Sequence, residues 1–276
     1  MNRVELSKKI AEKGSYLCVG LDPDLDLIPK HLLSFSDPIF RFNKAIIDAT
    51  HYYAVAYKPN LAFYEAYGSE GIKQFENTVA YIKQKDSSLF VIADAKRGDI
   101  GNTAEMYAKA LLERVKVDAV TLSPYMGFDS VKPFVSRKDK WAVVLALTSN
   151  TSAEDFQLMK SFDGKEIYQK VIETAKNWGN EDQIMFVVGA TKSDKLIEVR
   201  RLIPNHFLLI PGIGAQGGSL EDVSKYGLNS YGGILVNMSR SILYAGKDDE
   251  FEIAAKNESE RVAEQMKVYL SKYQLR

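Results

Sequence analysis

Lys58, Asp94, Lys96 and Asp99 are charged residues that end, or lie just beyond, two consecutive apolar runs, Tyr53–Lys58 and Leu89–Ala95. Residues two apart along a strand point to one face, so Asp94 and Lys96 share a face while Ala95 packs away from it. Asp99 falls where the next helical pattern begins. Two lysines and two carboxylates sum to zero charge, which lets the group be held away from water, whereas an isolated buried charge is costly. The set contains no hydroxyl or thiol nucleophile, and Lys96, flanked by carboxylates, is a candidate proton donor. Each alone reads equally as a solvated charge at a strand end; four together point to proton chemistry at carbon.

A second group lies late in the chain. Pro211-Gly212-Ile213-Gly214-Ala215-Gln216-Gly217-Gly218 follows the apolar run Phe207–Ile210 and precedes a helical pattern at Ser219. Gly212, Gly214 and Gly217 spell GxGxxG, but a dinucleotide site expects an acidic residue about 20 positions on, at the end of the following strand. Here that strand runs into Val236-Asn237-Met238-Ser239-Arg240. Glycines let backbone approach a ligand closely and helix N-termini offer N–H groups to an anion, so this segment and Arg240 read as a phosphate clamp. Taken singly, they are a tight turn and a surface ion pair. Thr148-Ser149-Asn150-Thr151-Ser152 could read the polar edge of a flat heterocycle or merely cap a helix. Asp22 and Asn60 could contact a sugar hydroxyl or cap turns.

These residues need a frame. Eight short apolar runs recur: Tyr16–Gly20, Tyr53–Lys58, Leu89–Ala95, Ala119–Leu122, Trp141–Leu147, Ile184–Val188, Phe207–Ile210 and Gly233–Val236. Most are apolar throughout, as strands buried on both faces of a parallel sheet are. Segments of helical period separate them, and the last, with Phe251, Ala255, Val262, Met266 and Leu270 on one stripe, reads as an outer helix. Such alternation without a long polar linker predicts one (β/α)8 (TIM) barrel over residues 1–276; an open doubly wound sheet is the alternative. The barrel is favoured because the polar residues gather at the C-terminal ends of the strands, where barrels place their chemistry.

Composition excludes other classes. The 276 residues carry 36 basic and 36 acidic side chains, so there is no basic surplus for a nucleic-acid backbone. No apolar run approaches the roughly 20 residues that span a bilayer, and the N-terminal segment lacks the apolar core of a signal peptide; a cytoplasmic protein is expected. Cys18 has no second cysteine to pair with, and the three histidines form no HxxxH or HxH pair, so neither a disulfide nor a histidine-built metal site is expected.

The segment Asp94-Ala95-Lys96-Arg97-Gly98-Asp99-Ile100 resembles the signature of the orotidine 5'-phosphate decarboxylase family, in its longer type 2 branch. The resemblance extends in order through Gly20-Leu21-Asp22-Pro23-Asp24, Lys58-Pro59-Asn60, Ser123-Pro124-Tyr125-Met126-Gly127, Thr148-Ser149-Asn150, Pro211 to Gly218 and Asn237-Met238-Ser239-Arg240. It implies a (β/α)8 barrel and a homodimer that converts orotidine monophosphate to uridine monophosphate and CO2 without metal or organic cofactor, the last step of de novo pyrimidine synthesis. By the same resemblance Lys58, Asp94, Lys96 and Asp99 are the charged tetrad, with Lys96 the proton donor. Asp22 and Asn60 lie near the ribose, Thr148 and Ser149 near the base, and Pro211, Gln216 and Arg240 around the phosphate. Asp99, Ile100 and Thr103 would enter the site of the partner subunit. Thr151 stands where the type 2 branch often has proline.

Two enzymatic alternatives share the pattern. A related sugar-phosphate decarboxylase has the same Asp-x-Lys-x-x-Asp strand but uses magnesium, which Lys58 would repel; a Schiff-base aldolase would use Lys58 or Lys96. A silent nucleotide-phosphate binder is the non-enzymatic alternative, and it has no use for four charges held from water.

Overall fold

The computed structural model describes residues 1–213 and 217–274, excluding the side chains of Ser193 and Asp248. Eight parallel strands close into a barrel in sequence order: β1 (Leu17–Leu21), β2 (Ala54–Pro59), β3 (Phe90–Arg97), β4 (Ala119–Leu122), β5 (Trp141–Leu147), β6 (Ile184–Val188), β7 (Phe207–Pro211) and β8 (Ile234–Met238), with β8 pairing back onto β1. The open-sheet alternative is thereby excluded. Each strand falls within two residues of the run expected from sequence, because strands buried on both faces leave few positions for polar residues.

The helices are α1 (Arg3–Lys13), α2 (Pro38–Thr50), α3 (Ala62–Glu65), α4 (Gly68–Lys85), α5 (Gly101–Ala108), α6 (Phe128–Val135), α7 (Ile167–Ala175), α8 (Leu196–Leu202), α9 (Leu220–Gly227), α10 (Arg240–Leu243) and α11 (Phe251–Tyr273). The apolar stripe of α11 is buried, as its spacing predicts. The sequence reading missed α1, although Asn2 and Glu5 form a capping box and Leu6 and Ile10 supply a buried face. Among the described residues no helix is long and apolar enough to cross a membrane.

The barrel has a dry lower end. The rings of Phe90, Trp141 and Phe207, which open the alternate strands β3, β5 and β7, meet edge to face at 6.0 and 6.1 Å. Alternate strands meeting across the interior is how such barrels fill their core in layers. The chain entering α1 lies across this end: the Trp141 indole N–H donates to the Met1 carbonyl at 2.8 Å, and Arg3, the first residue of α1, pairs with Glu181. Higher in the barrel Cys18 is fully buried and its thiol is pushed up to about 12, mainly by burial. It is therefore a packing residue and no nucleophile at neutral pH.

Below β7, His206 is 6% exposed and neither ring nitrogen has a partner among the described residues. Burial lowers its imidazole from 6.5 to about 4; Glu181 pulls the other way, while Arg200, Arg3 and Lys176 reinforce the lowering. The unfolded chain then binds a proton that the folded chain refuses between pH 6.5 and 4, so stability falls as pH falls through that window. The loss approaches about 3 kcal/mol. A His206→Gln variant should lose this part of the acid sensitivity, read as a flatter plot of urea-unfolding free energy between those pH values.

Candidate active site

At the upper, C-terminal end the charges expected from sequence come together around one carboxylate. The Lys58 ammonium, on β2, donates to Asp94 Oδ2 at 2.9 Å, and Lys96 Nζ donates to Asp94 Oδ1 at 2.6 Å. Burial by itself would raise the Asp94 carboxyl, but Lys58 and then Lys96 hold it well below the usual carboxylate range. Burial likewise opposes the charge on Lys58, and Asp22 and Asp94 together raise it above the usual lysine value. Both groups are therefore charged at neutral pH.

The geometry that delivers Lys96 is not simple strand alternation. Ala93 of β3 pairs with Val120 of β4, and the next pair is Arg97 with Leu122, so Asp94, Ala95 and Lys96 face Thr121 alone. This bulge turns Lys96 into a left-handed conformation, φ +46°. A non-glycine residue held there costs about 1–3 kcal/mol and persists only where its surroundings fix it. Here the Thr121 hydroxyl accepts from the Lys96 backbone N–H at 2.9 Å and donates to Asp94 Oδ1 at 2.8 Å. Sequence reasoning assigned nothing to Thr121, though it is the one polar residue in an otherwise apolar run, Ala119–Leu122.

A cleft of about 200 Å3 opens over the array, lined by Asp22, Lys58, Asn60 and Asp94 on one side and by Pro211, Gly212, Ile213, Asn237, Ser239, Arg240 and Ser241 on the other. Asp22 Oδ1 lies 3.9 Å from Lys58 Nζ and has no hydrogen-bond partner among the described residues. A buried carboxylate oxygen left so is available to a ligand hydroxyl. The strand end that carries it is held by Tyr244, whose hydroxyl donates to the Asp22 carbonyl at 3.1 Å and accepts from the Asp24 N–H at 2.9 Å. Asn60 extends the β2–β3 pairing with a bridge to Asp94.

The segment expected from sequence to clamp a phosphate is pinned at its base, where the Gly218 N–H donates to the Gly212 carbonyl at 3.2 Å. Gly212 (φ +101°) and Gly217 (φ +85°) adopt backbone open to glycine. Gln216 lies outside the described residues. The N-terminus of α9 is occupied otherwise: the Ser219 side chain accepts from the Asp222 N–H, and Glu221 and Asp222 fill its first turn. Those carboxylates oppose an anion there, which leaves Arg240 and Gly212 as the residues of the cleft wall suited to one. Asn237 and Ser239, passed over as single residues by the sequence reading, belong to this wall.

Some expected residues stand apart. Asp99 accepts from the Ile100 N–H at 2.8 Å and forms no ion pair with Lys58 or Lys96 within the chain; Ile100 and Thr103 are exposed. Within one chain Asp22, and not Asp99, is the second carboxylate of the array. Thr148 and Ser149 do not line the cleft. Thr148 is clamped by Gln157, whose Oε1 accepts from its N–H at 2.7 Å.

A closed parallel barrel whose C-terminal mouth carries a lysine–carboxylate–lysine array beside an arginine-lined cleft belongs to the class of (β/α)8-barrel enzymes. The profile of the orotidine 5'-phosphate decarboxylase / HUMPS family matches residues 15–255, and the chain belongs to that family. It is 53% identical over 270 residues to the orotidine 5'-phosphate decarboxylase of Parabacteroides distasonis, covering 98% of this chain and 96% of the relative. With the protein of that name from Christiangramia forsetii it shares 55% over 272 residues, covering 99% and 100%. Among solved structures, Leishmania donovani OMP decarboxylase superposes with a TM-score of 0.85 at 34% identity, covering 98% of this chain and 99% of that one.

The loop after β5 depends on a close backbone approach. The Gly189 N–H donates to the Leu147 carbonyl at 2.8 Å, and a Cβ at Gly189 would meet Ser149 N at 2.7 Å and its Cα at 2.8 Å. Gly189→Ala should therefore cost about 1–3 kcal/mol by overpacking, measured as a lower urea midpoint with an unchanged slope.

Proposed function

We propose that this protein decarboxylates orotidine 5'-monophosphate to uridine 5'-monophosphate and CO2, closing pyrimidine nucleotide synthesis. The observation that carries the reading is the Asp94 carboxylate clamped between Lys58 and Lys96, in the cleft whose far wall holds Arg240. The substrate has the matching parts: a phosphate for Arg240 and the Pro211–Gly218 segment, with Gln216 in it, ribose hydroxyls for Asp22 and Asn60, and a base for the Thr148–Ser149 loop.

In the proposed step the bond between the ring carbon and the carboxylate breaks, its electron pair stays on the carbon, and CO2 leaves. Lys96 stabilises that pair and then donates a proton to it, to be reprotonated from solvent. Asp94 beside the substrate carboxylate, at about 4 Å and an effective dielectric of about 20, contributes roughly 4 kcal/mol of repulsion. That is about three decades of rate, so most of the acceleration falls to Lys96 and to binding energy from the remote phosphate. The ammonium supplies the positive charge, and the step calls for neither metal nor organic cofactor. Lys58, 2.9 Å from Asp94, would repel a divalent cation, which disfavours the magnesium-dependent sugar-phosphate reaction.

The working unit we propose is a cytoplasmic homodimer of one-domain barrels of the type 2 branch. Ile100, which follows Asp99 and caps α5, Met106 on α5, and Tyr125 and Met126 in the β4–α6 loop leave large apolar side chains exposed. A second copy covering them would receive Asp99, Ile100 and Thr103 beside its own array.

Absorbance of orotidine monophosphate mixed with purified protein tests the reaction. Loss of the substrate band, undiminished by excess EDTA, is expected; an unchanged band would overturn it. Lys96→Ala should lower turnover by at least about 1000-fold while leaving the circular dichroism spectrum intact, and near-normal turnover would remove Lys96 as proton donor. Arg240→Ala should act mainly on KM, lowering kcat/KM by about 10- to 100-fold.

A further inference from the structure

We infer that Thr121 is a positioning residue for this reaction, acting through Lys96 and Asp94 without touching the substrate. The inference rests on the decarboxylase reading above and adds a residue to it. A backbone amide can only donate and an ionised carboxylate can only accept, so the two bonds of the Thr121 hydroxyl have fixed directions: it accepts from Lys96 N–H at 2.9 Å and gives its one proton to Asp94 Oδ1 at 2.8 Å. The bulge between the Ala93 and Arg97 pairings lies opposite Thr121, and the Lys96 N–H within it makes its hydrogen bond to this side chain instead of to β4 backbone. One hydroxyl thus holds both the left-handed turn that aims Lys96 and the rotation of the carboxylate that Lys96 Nζ touches at 2.6 Å.

Removing the hydroxyl leaves the charges compensated, because Lys58 and Lys96 still flank Asp94. Thr121 is not among the residues that line the cleft, whereas Arg240 and Gly212, which would face the phosphate, are. The loss should therefore fall on the aim of the proton donor, and so on kcat.

The test compares Thr121→Val, Thr121→Ala and Thr121→Ser with the parent protein. Valine keeps the shape without the hydroxyl; alanine serves if valine fails to fold. We expect kcat to fall about 100-fold in the variants lacking the hydroxyl, as misplacement of a reacting group by about 1 Å can cost, with KM within about threefold. Serine should restore kcat. Independently of any activity, the Lys96 amide should exchange with deuterium about tenfold faster in the variants lacking the hydroxyl and at the parent rate in the serine variant. A kcat equal to the parent's, a serine variant as slow as valine, or unchanged Lys96 exchange would overturn the inference. A parent protein inactive on orotidine monophosphate but with Lys96 exchange following the hydroxyl would instead count against the decarboxylase reading alone, the positioning of Lys96 being upheld.

Discussion

Everything at the mouth of this barrel depends on one carboxylate shared by two ammonium groups. Asp94 accepts Lys58 on one oxygen and Lys96 on the other, and it remains ionised because those two charges outweigh the burial that would neutralise it. A buried charge is tolerable only where partners and hydrogen bonds satisfy it. One partner, Lys58, comes from the neighbouring strand β2 and the other, Lys96, from the bulge of β3 itself, so the pairing of those strands and the ionisation state of the site are one problem with one solution. Asp22 extends the array across Lys58, with a carboxylate oxygen left unpartnered toward the cleft.

That arrangement requires local departures from ideal geometry. Regular alternation would bring Lys96 to the same face as Asp94, but the chain instead inserts a bulge and places Lys96 in a left-handed conformation. Bulges near active sites re-aim a side chain at the expense of ladder bonds. The hydroxyl of Thr121 replaces the lost bond for Lys96, and its proton goes to the central carboxylate.

The two ends of the barrel divide the labour. The lower end is apolar and covered, with the rings of Phe90, Trp141 and Phe207 in contact and the N-terminal segment drawn across by Trp141 and Arg3. The upper end holds the charges, a bulge and glycines in backbone conformations closed to other residues. A packed base lets the mouth carry strain and buried charge, because the free energy that holds the strands together is gained elsewhere.

Eight strands and the identities of the charged groups are legible along the chain. Strands buried on both faces must be apolar throughout, and barrels confine polar residues to strand ends, so composition along the chain reports both. It also carried the family signature, spread over most of the chain. Which of those groups meet is set by the assembled barrel. Thr121 acquires meaning when β3 bulges against β4, an event with no local signature beyond one hydroxyl in an apolar run. Asp22 joins the array and Asp99 does not within one chain, because the β1–β2 register seats Asp22 beside Lys58, whereas Asp99 lies past the end of β3 and accepts from Ile100. The capped helix α1 needed the barrel floor to pack against, since a helix of 11 residues gains most of its stability from the face it buries. Spacing along a chain fixes the face on which a side chain stands; its distance to a group on another strand is fixed by register, bulges and closure, which arise only when the strands assemble.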